Sequence, residues 1–329
     1  MRRRAFTAAE LLTVLLLLSV VVCLLLPGAR KQRVAAQLSS SLANLHHIAA
    51  LSASYNADNQ DYAPYFSWTR GVEPNTQFAD LRSRTLGAIE GLTPWASQAV
   101  DIIRRRTGQP SFPMQEGWAP HAYYTHLVLA DYAAIELPSF NFISPADPVR
   151  LTTARRQTPG DRWAFSSSYE FQVHFGQLDR RFGTGAYGGV TCIGYHNSFQ
   201  ATTDYGNYLG PRRMSEVRYP SQKVHVFDSN DRHFASRPRW HAEPDAIPLV
   251  LAADGHTRTR AASTYNMGAD PALQSRIFPL SYTYRPASVW DPPLAGGASS
   301  ITCTGYLRWP RGGLQGRDFD GAEVDTSGW

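Results

Sequence analysis

The sequence predicts an α+β fold in which one long amino-terminal helix, apolar in its first half and amphipathic in its second, packs on an antiparallel sheet. Three observations carry this expectation. From Leu11 to Leu26 only Thr13 and Ser19 are polar, and neither is charged. After Pro27 the apolar positions Val34, Leu38, Leu42, Leu45, Ile48 and Tyr55 recur mostly at steps of three or four, the spacing of one helix face. Beyond residue 160 come short alternating apolar runs divided by Gly, Pro and Asn, as strands and turns require.

The first element begins with Arg2, Arg3 and Arg4 and then turns apolar. At ~1.5 Å per residue, Leu11–Leu26 makes roughly 24 Å of helix, close to the ~30 Å of a bilayer core. A secretory signal is a poor fit, because its apolar run is about 7–15 residues and ends at a small-x-small site. Here 16 residues run on into Pro27-Gly28-Ala29-Arg30-Lys31. A lipoprotein anchor needs a small residue before its cysteine, but Cys23 follows Val22 in mid-run. A plain anchor leaves Glu10 unexplained, since a charge at the edge of an apolar span costs a few kcal/mol unless paired.

The block Arg4-Ala5-Phe6-Thr7-Ala8-Ala9-Glu10-Leu11-Leu12 resembles the class III signal of type IV pilins and type II secretion pseudopilins. The resemblance implies that a prepilin peptidase removes residues 1–5 by cutting between Ala5 and Phe6, and that Phe6 is then N-methylated. Glycine is usual before the cut in that family, and Ala5 stands there in this chain. The resemblance also implies that Glu10 faces the free amine of a neighbouring subunit, a buried ion pair that fixes register and is completed only in the assembled filament. Pro27 lies 21 residues after Phe6, where the family often carries a helix-disturbing proline.

The organisation implied is a leader at 1–5, a transmembrane and assembly helix at 6–28, its amphipathic continuation at 29–57, and a globular ectodomain at 58–329. The implied protein is a structural subunit and not an enzyme. It sits in the inner membrane by a single pass, with a cytoplasmic amino terminus and a periplasmic ectodomain. Its partners are other pilin or pseudopilin subunits, the prepilin peptidase and the inner-membrane assembly platform. A membrane-anchored periplasmic binding protein with a pilin-type signal, using its aromatics on glycans, is the competing reading.

Charge agrees with the anchor and argues against nucleic acid. Arg2, Arg3, Arg4, Arg30, Lys31 and Arg33 flank the apolar run, against Glu10 alone, so the remaining 26 basic and 26 acidic residues balance. The net +5 therefore belongs to the flanks and not to a nucleic-acid-binding face. The leader arginines favour a cytoplasmic start. Of the three cysteines, Cys23 is in the span, while Cys192 and Cys303 lie where a disulfide persists, as a pair or as two free thiols.

The helix is expected to end at Asn56-Ala57-Asp58-Asn59-Gln60-Asp61, a cluster of turn formers. His46 and His47 are neighbours, so they diverge around a helix and read as surface residues rather than metal ligands. Ala79–Ile89 and Trp95–Arg106 have helical spacing and form short helices in an insertion. Strands are expected at Trp163–Val173, Gly189–Tyr195, Lys223–Phe227, Pro248–Ala252 and Arg276–Tyr284. Four segments resemble a subgroup of large pseudopilin-like proteins: Asn44–Pro64, Leu127–Pro148 with Ser144 where cysteine is usual, Arg218–Ser229, and His241 with Asp254-Gly255.

Few motifs carry chemistry. Gly183-Thr184-Gly185-Ala186-Tyr187-Gly188 matches a dinucleotide fingerprint in letters only, lacking the strand and helix around it. His241 and Asp254 suggest a metal or acid–base pair, but Asp254-Gly255 reads more simply as a turn between Leu249–Ala252 and Thr257–Arg260. The tail places Asp318, Asp320, Glu323 and Asp325 around Gly321, four carboxylates suited to calcium. Calcium is the one cofactor the sequence suggests, and some major pseudopilins bind it in a carboxyl-terminal loop.

Overall fold

The computed structural model describes residues 7–89, 91–115, 118, 120, 123–176, 209–266, 281–284, 297–299, 301–304, 306–308 and 313–320, with the backbone alone at 22–27, 30, 281–284 and 301–304. The architecture is α+β. Helix α1 runs from Ala8 to Asp58, 51 residues without a break, or about 77 Å at the usual rise. Pro27-Gly28 does not end it. Asn59 caps its carboxyl end, its N–H and its side chain both donating to the Tyr55 carbonyl. Among the described residues no helix is long and apolar enough to cross a membrane, and the side chains of 22–27 lie outside that set.

The amphipathic half of α1 buries Ser41, Leu45, Ile48 and Ser52 against the rest of the chain, chiefly against strands β5 (Leu249–Ala252) and β6 (Thr257–Thr259) and helix α4 (His126–Tyr132). His46 is exposed as expected, whereas the half-buried His47 leans its ring towards Phe142. The insertion forms α2 (Ala79–Leu86) and α3 (Leu92–Thr107). Helix α5 (Pro148–Arg156) has Asp147 as its cap and Pro148 in its first turn. That pairing is a helix-start signal, because proline's missing N–H is no loss there.

The central sheet has the order β1-β2-β5-β6, antiparallel throughout, with β1 at Tyr169–Phe171 and β2 at Val224–Asp228. The expected strand at 163–173 is shorter than its apolar pattern suggests. The Asp161 carboxylate accepts from the Trp163 N–H and winds Arg162–Phe165 into a 3-10 turn first. The Asp-Gly turn is as expected: β5 and β6 pair across it, the Ala252 N–H donates to the His256 carbonyl, and Gly255 has φ +91°. Two small sheets complete the set, β3 (Asn230–Asp231) with β4 (Arg239–Trp240) and β7 (Ser281–Tyr284) with β8 (Ile301–Thr304). The expected strand at 189–195 and the glycine motif at 183–188 lie outside the described residues.

Both faces of the sheet are covered. Leu249, Leu251 and Val226 join the cluster of α1, α3 and α4 that holds Leu45, Ile48, Trp95 and Leu127. Val250, Ala252 and Phe227 face a second cluster with Trp240, Tyr265, Leu307 and Phe319. Alternate residues of one strand thus enter two cores, which explains why the run Leu249-Val250-Leu251-Ala252 is apolar at every position.

Candidate functional site

The first turns of α1 present a surface unlike the rest of the chain. Nine large apolar side chains between Leu11 and Val21 are exposed, Leu12 at 68% and Leu16 at 61%. They point in all directions around the helix, so this segment has no single face to lay on the chain's own core. A helix apolar on all sides is buried in its working state, in a membrane or among other helices.

Glu10 opens that surface. Thr7 is the helix cap, and its N–H and hydroxyl both donate to the Glu10 Oε2, at 2.9 and 2.8 Å, while the Glu10 N–H donates back to the Thr7 hydroxyl at 3.3 Å. This reciprocal box satisfies orphan donors of the first turn. It corrects the expectation that Glu10 is satisfied only between subunits: a lone chain already gives it a partner. The capping residues Thr7 and Glu10 both lie beyond the expected cut, so removal of the leader leaves the box intact. The cut itself, at Ala5 and Phe6, lies outside the described residues, and so does the Pro27 side chain.

Where α1 meets the globular part, the seam is polar. The Gln37 amide donates to the Pro145 carbonyl at 3.0 Å and the Asn44 amide to the Ile143 carbonyl at 3.1 Å. Between them, the fully buried Ser41 hydroxyl meets Ser144 Oγ at 2.9 Å and His233 Nε2 at 3.1 Å. Burial, and then the Arg232 charge, push the His233 imidazole down to about 4. Ser144 therefore works as a hydrogen-bonding link to the helix.

Behind the seam lies a buried charge cluster that the sequence does not announce. Asp147 caps α5 through the Arg150 N–H and accepts on Oδ2 from Arg150, Arg232 and Ser168 at 2.8 to 2.9 Å. Arg232 also pairs with Asp228 at the end of β2. Burial raises the Asp147 carboxyl, but Arg232, Arg150 and the Arg150 N–H together hold it well below the usual carboxylate range. Asp228 goes the other way: burial, with the Asp147 charge adding to it, pushes its carboxyl up to about 6 despite Arg232.

The two shifts have opposite consequences for stability. An unfolded Asp titrates near ~4, so folded Asp228 takes up a proton more readily than the unfolded chain and folding strengthens as pH falls from about 6 towards 4. The contribution of Asp147 is complete above about pH 4 and is lost as pH falls below it. Burial also lowers the His126, His225 and His233 imidazoles, to about 3, about 4 and about 4. An unfolded His titrates near ~6.5, so these three weaken folding as pH falls below that and outweigh the single Asp228. Melting temperature is therefore expected to fall from pH 7 towards pH 4, and Asp228→Asn should make the fall between pH 6 and pH 4 steeper; an unchanged slope would mean that Asp228 takes up no proton there.

The remaining expected sites divide. His241 is buried beside the Ser229 carbonyl and 3.9 Å from Glu170, whereas Asp254 pairs with His256 at the turn, so each has partners of its own. Of the tail carboxylates, Asp318 is 1% exposed and holds Lys223, the Val224 N–H and Gln172. Asp320 holds Arg258 and Arg260, with Arg260 the main cause of its lowered pKa. Both carboxylates face cations of this chain, while Glu323 and Asp325 lie outside the described residues. Among the described residues no group of three or more His, Cys, Asp or Glu is placed to hold a metal. Cys192 and the Cys303 side chain also lie outside that set, so their pairing has no geometry. No family model, curated protein or solved structure matches this chain.

Proposed function

We propose that this chain is a pilin-type structural subunit, held in a membrane by the first half of α1 and assembled through that helix into a type IV pilus or type II secretion pseudopilus. The observation that carries the reading is the exposed, all-round apolar segment Leu11–Val21 opened by a single carboxylate, Glu10. An anchor alone needs the apolarity. The carboxylate is explained by a partner amine, which cleavage before Phe6 would create on each copy. In the lone chain both bonds from Thr7 fall on Oε2, which leaves Oε1 for a neighbour's Phe6.

The test separates the two uses of Glu10. Thr7→Ala removes only the cap, worth about 1 kcal/mol, and should still enter filaments. Glu10→Ala also removes the partner of a buried amine, a loss of about 3–5 kcal/mol at each subunit contact. It should insert and be cleaved normally, yet be absent from sheared filaments when expressed beside the wild type. Equal recovery of Glu10→Ala and wild type in filaments would overturn the reading in favour of an anchored binding protein.

A further inference from the structure

Lys223 and Asp318 are the most deeply buried charge pair among the described residues. Lys223 immediately precedes β2 and is 0% exposed, Asp318 is 1% exposed, and Nζ lies 2.6 Å from Oδ1. Their backbones are fixed as well as their side chains. The Lys223 carbonyl accepts from the Ala253 N–H, the Asp318 N–H donates to the Gln222 carbonyl, and the Asp318 carbonyl accepts from the Asn266 N–H, all within 2.8 Å. The other carboxylate oxygen, Oδ2, accepts two N–H bonds, from the Val224 amide at 2.8 Å and from Gln172 Nε2 at 2.9 Å. The chain neighbours Val224 and Phe319 are buried, with Leu307, in the second core cluster.

A salt bridge needs none of this surplus. An amine held beside a carboxyl whose second oxygen sits between two N–H donors, with water excluded, is the arrangement that acyl transfer uses. We propose that Lys223 and Asp318 become joined by an amide bond between Nζ and Cγ. The step balances within the pair. Nζ passes one proton to Oδ1, turning ammonium and carboxylate into amine and acid. The Nζ lone pair then adds to Cγ, and the negative charge developing on Oδ2 is received by the Val224 and Gln172 donors. Collapse breaks the Cγ–Oδ1 bond, Oδ1 takes a second proton from Nζ, and one water leaves. No oxidant, cofactor or other enzyme enters. The product closes a loop between residues 95 apart and fastens the segment carrying Phe319 to the start of β2.

Mass spectrometry of the full chain, made in a heterologous host and denatured before measurement, tests this. The wild type is expected to weigh one water less than its sequence, and Lys223→Arg, which keeps the charge but has no nucleophilic amine, should weigh what its sequence states. Location matters, because a succinimide at Asp254-Gly255 or Asp320-Gly321 also loses one water. Trypsin should leave Lys223 uncut and yield a branched peptide in which residues 219–232 are joined to the peptide beginning at Asp318. Linear peptides ending at Lys223 and beginning at Asp318 in the wild type would overturn the proposal, as would a water deficit that persists in Lys223→Arg. The result does not depend on whether the chain forms filaments.

Discussion

Asp147→Ala is expected to cost about 3–5 kcal/mol, the usual price of leaving buried charges without their partner. A domain of this kind is stable by only about 5–15 kcal/mol, so the variant should melt far below the wild type or accumulate as degraded protein. Both carboxylate oxygens are in use, Oδ1 by the cap of α5 and Oδ2 by side chains. Oδ2 serves Arg150, Arg232 and Ser168 together, so the substitution takes a carboxylate from two guanidinium groups that are 2–3% exposed and leaves Arg232 with Asp228. It also removes the cap of α5, whose Arg150 N–H then has no acceptor. Chemical denaturation of the purified ectodomain side by side with Thr152→Ala, an exposed change on α5, gives the comparison. A loss below about 1 kcal/mol would mean that α5 and the β2 end are held together by apolar contact instead.

Gly176→Ala should be nearly as damaging for a different reason. The backbone there is ordinary, with φ −118°, so the demand for glycine is one of space. A Cβ would stand 2.0 Å from Tyr65 Cε1 and 2.1 Å from Cδ1. Tyr65 has nowhere to retreat, being fully buried with Phe66 and Trp95 against its ring. Forcing a methyl into such a site costs about 1–3 kcal/mol and sometimes more. Trimming the obstacle should repair the damage: Tyr65→Leu, destabilising alone, should lose less when combined with Gly176→Ala than the two losses added. Strict additivity in that cycle would show that the methyl and the ring do not compete.

How much of this was readable in advance depends on whether the signal was local. Helix α1 was legible, because Val34 to Tyr55 repeat at helical steps and the turn formers after Asn56 stop it. The hairpin at Asp254-Gly255 was legible for the same reason. Helix α5 was missed although Asp147-Pro148 announces it, because its burial rests on side chains such as Arg150 that a hydrophobic pattern ignores. The charge cluster could not be read at all. Asp147, Asp228 and Arg232 are brought together from positions up to 85 residues apart, and nothing in the local spelling of any of them marks it as buried. The tail misled in the opposite direction: alternate carboxylates look like an open cation site, but Lys223, Arg258 and Arg260 come from distant strands and strand ends to meet them.

The polar seam along α1 has a mechanical consequence. Two oily surfaces can slide past one another by a helical turn, about 5.4 Å, and give up little, since one apolar contact replaces another. Gln37, Ser41 and Asn44 do not permit that exchange, because each addresses one particular atom of the Ile143–Pro145 strip. Displacement along the axis would leave buried donors and acceptors without partners on both sides. Tension applied to the far end of α1 is therefore passed into the globular part at a fixed point, with the helix acting as a keyed shaft and not as a rod in a greased sleeve.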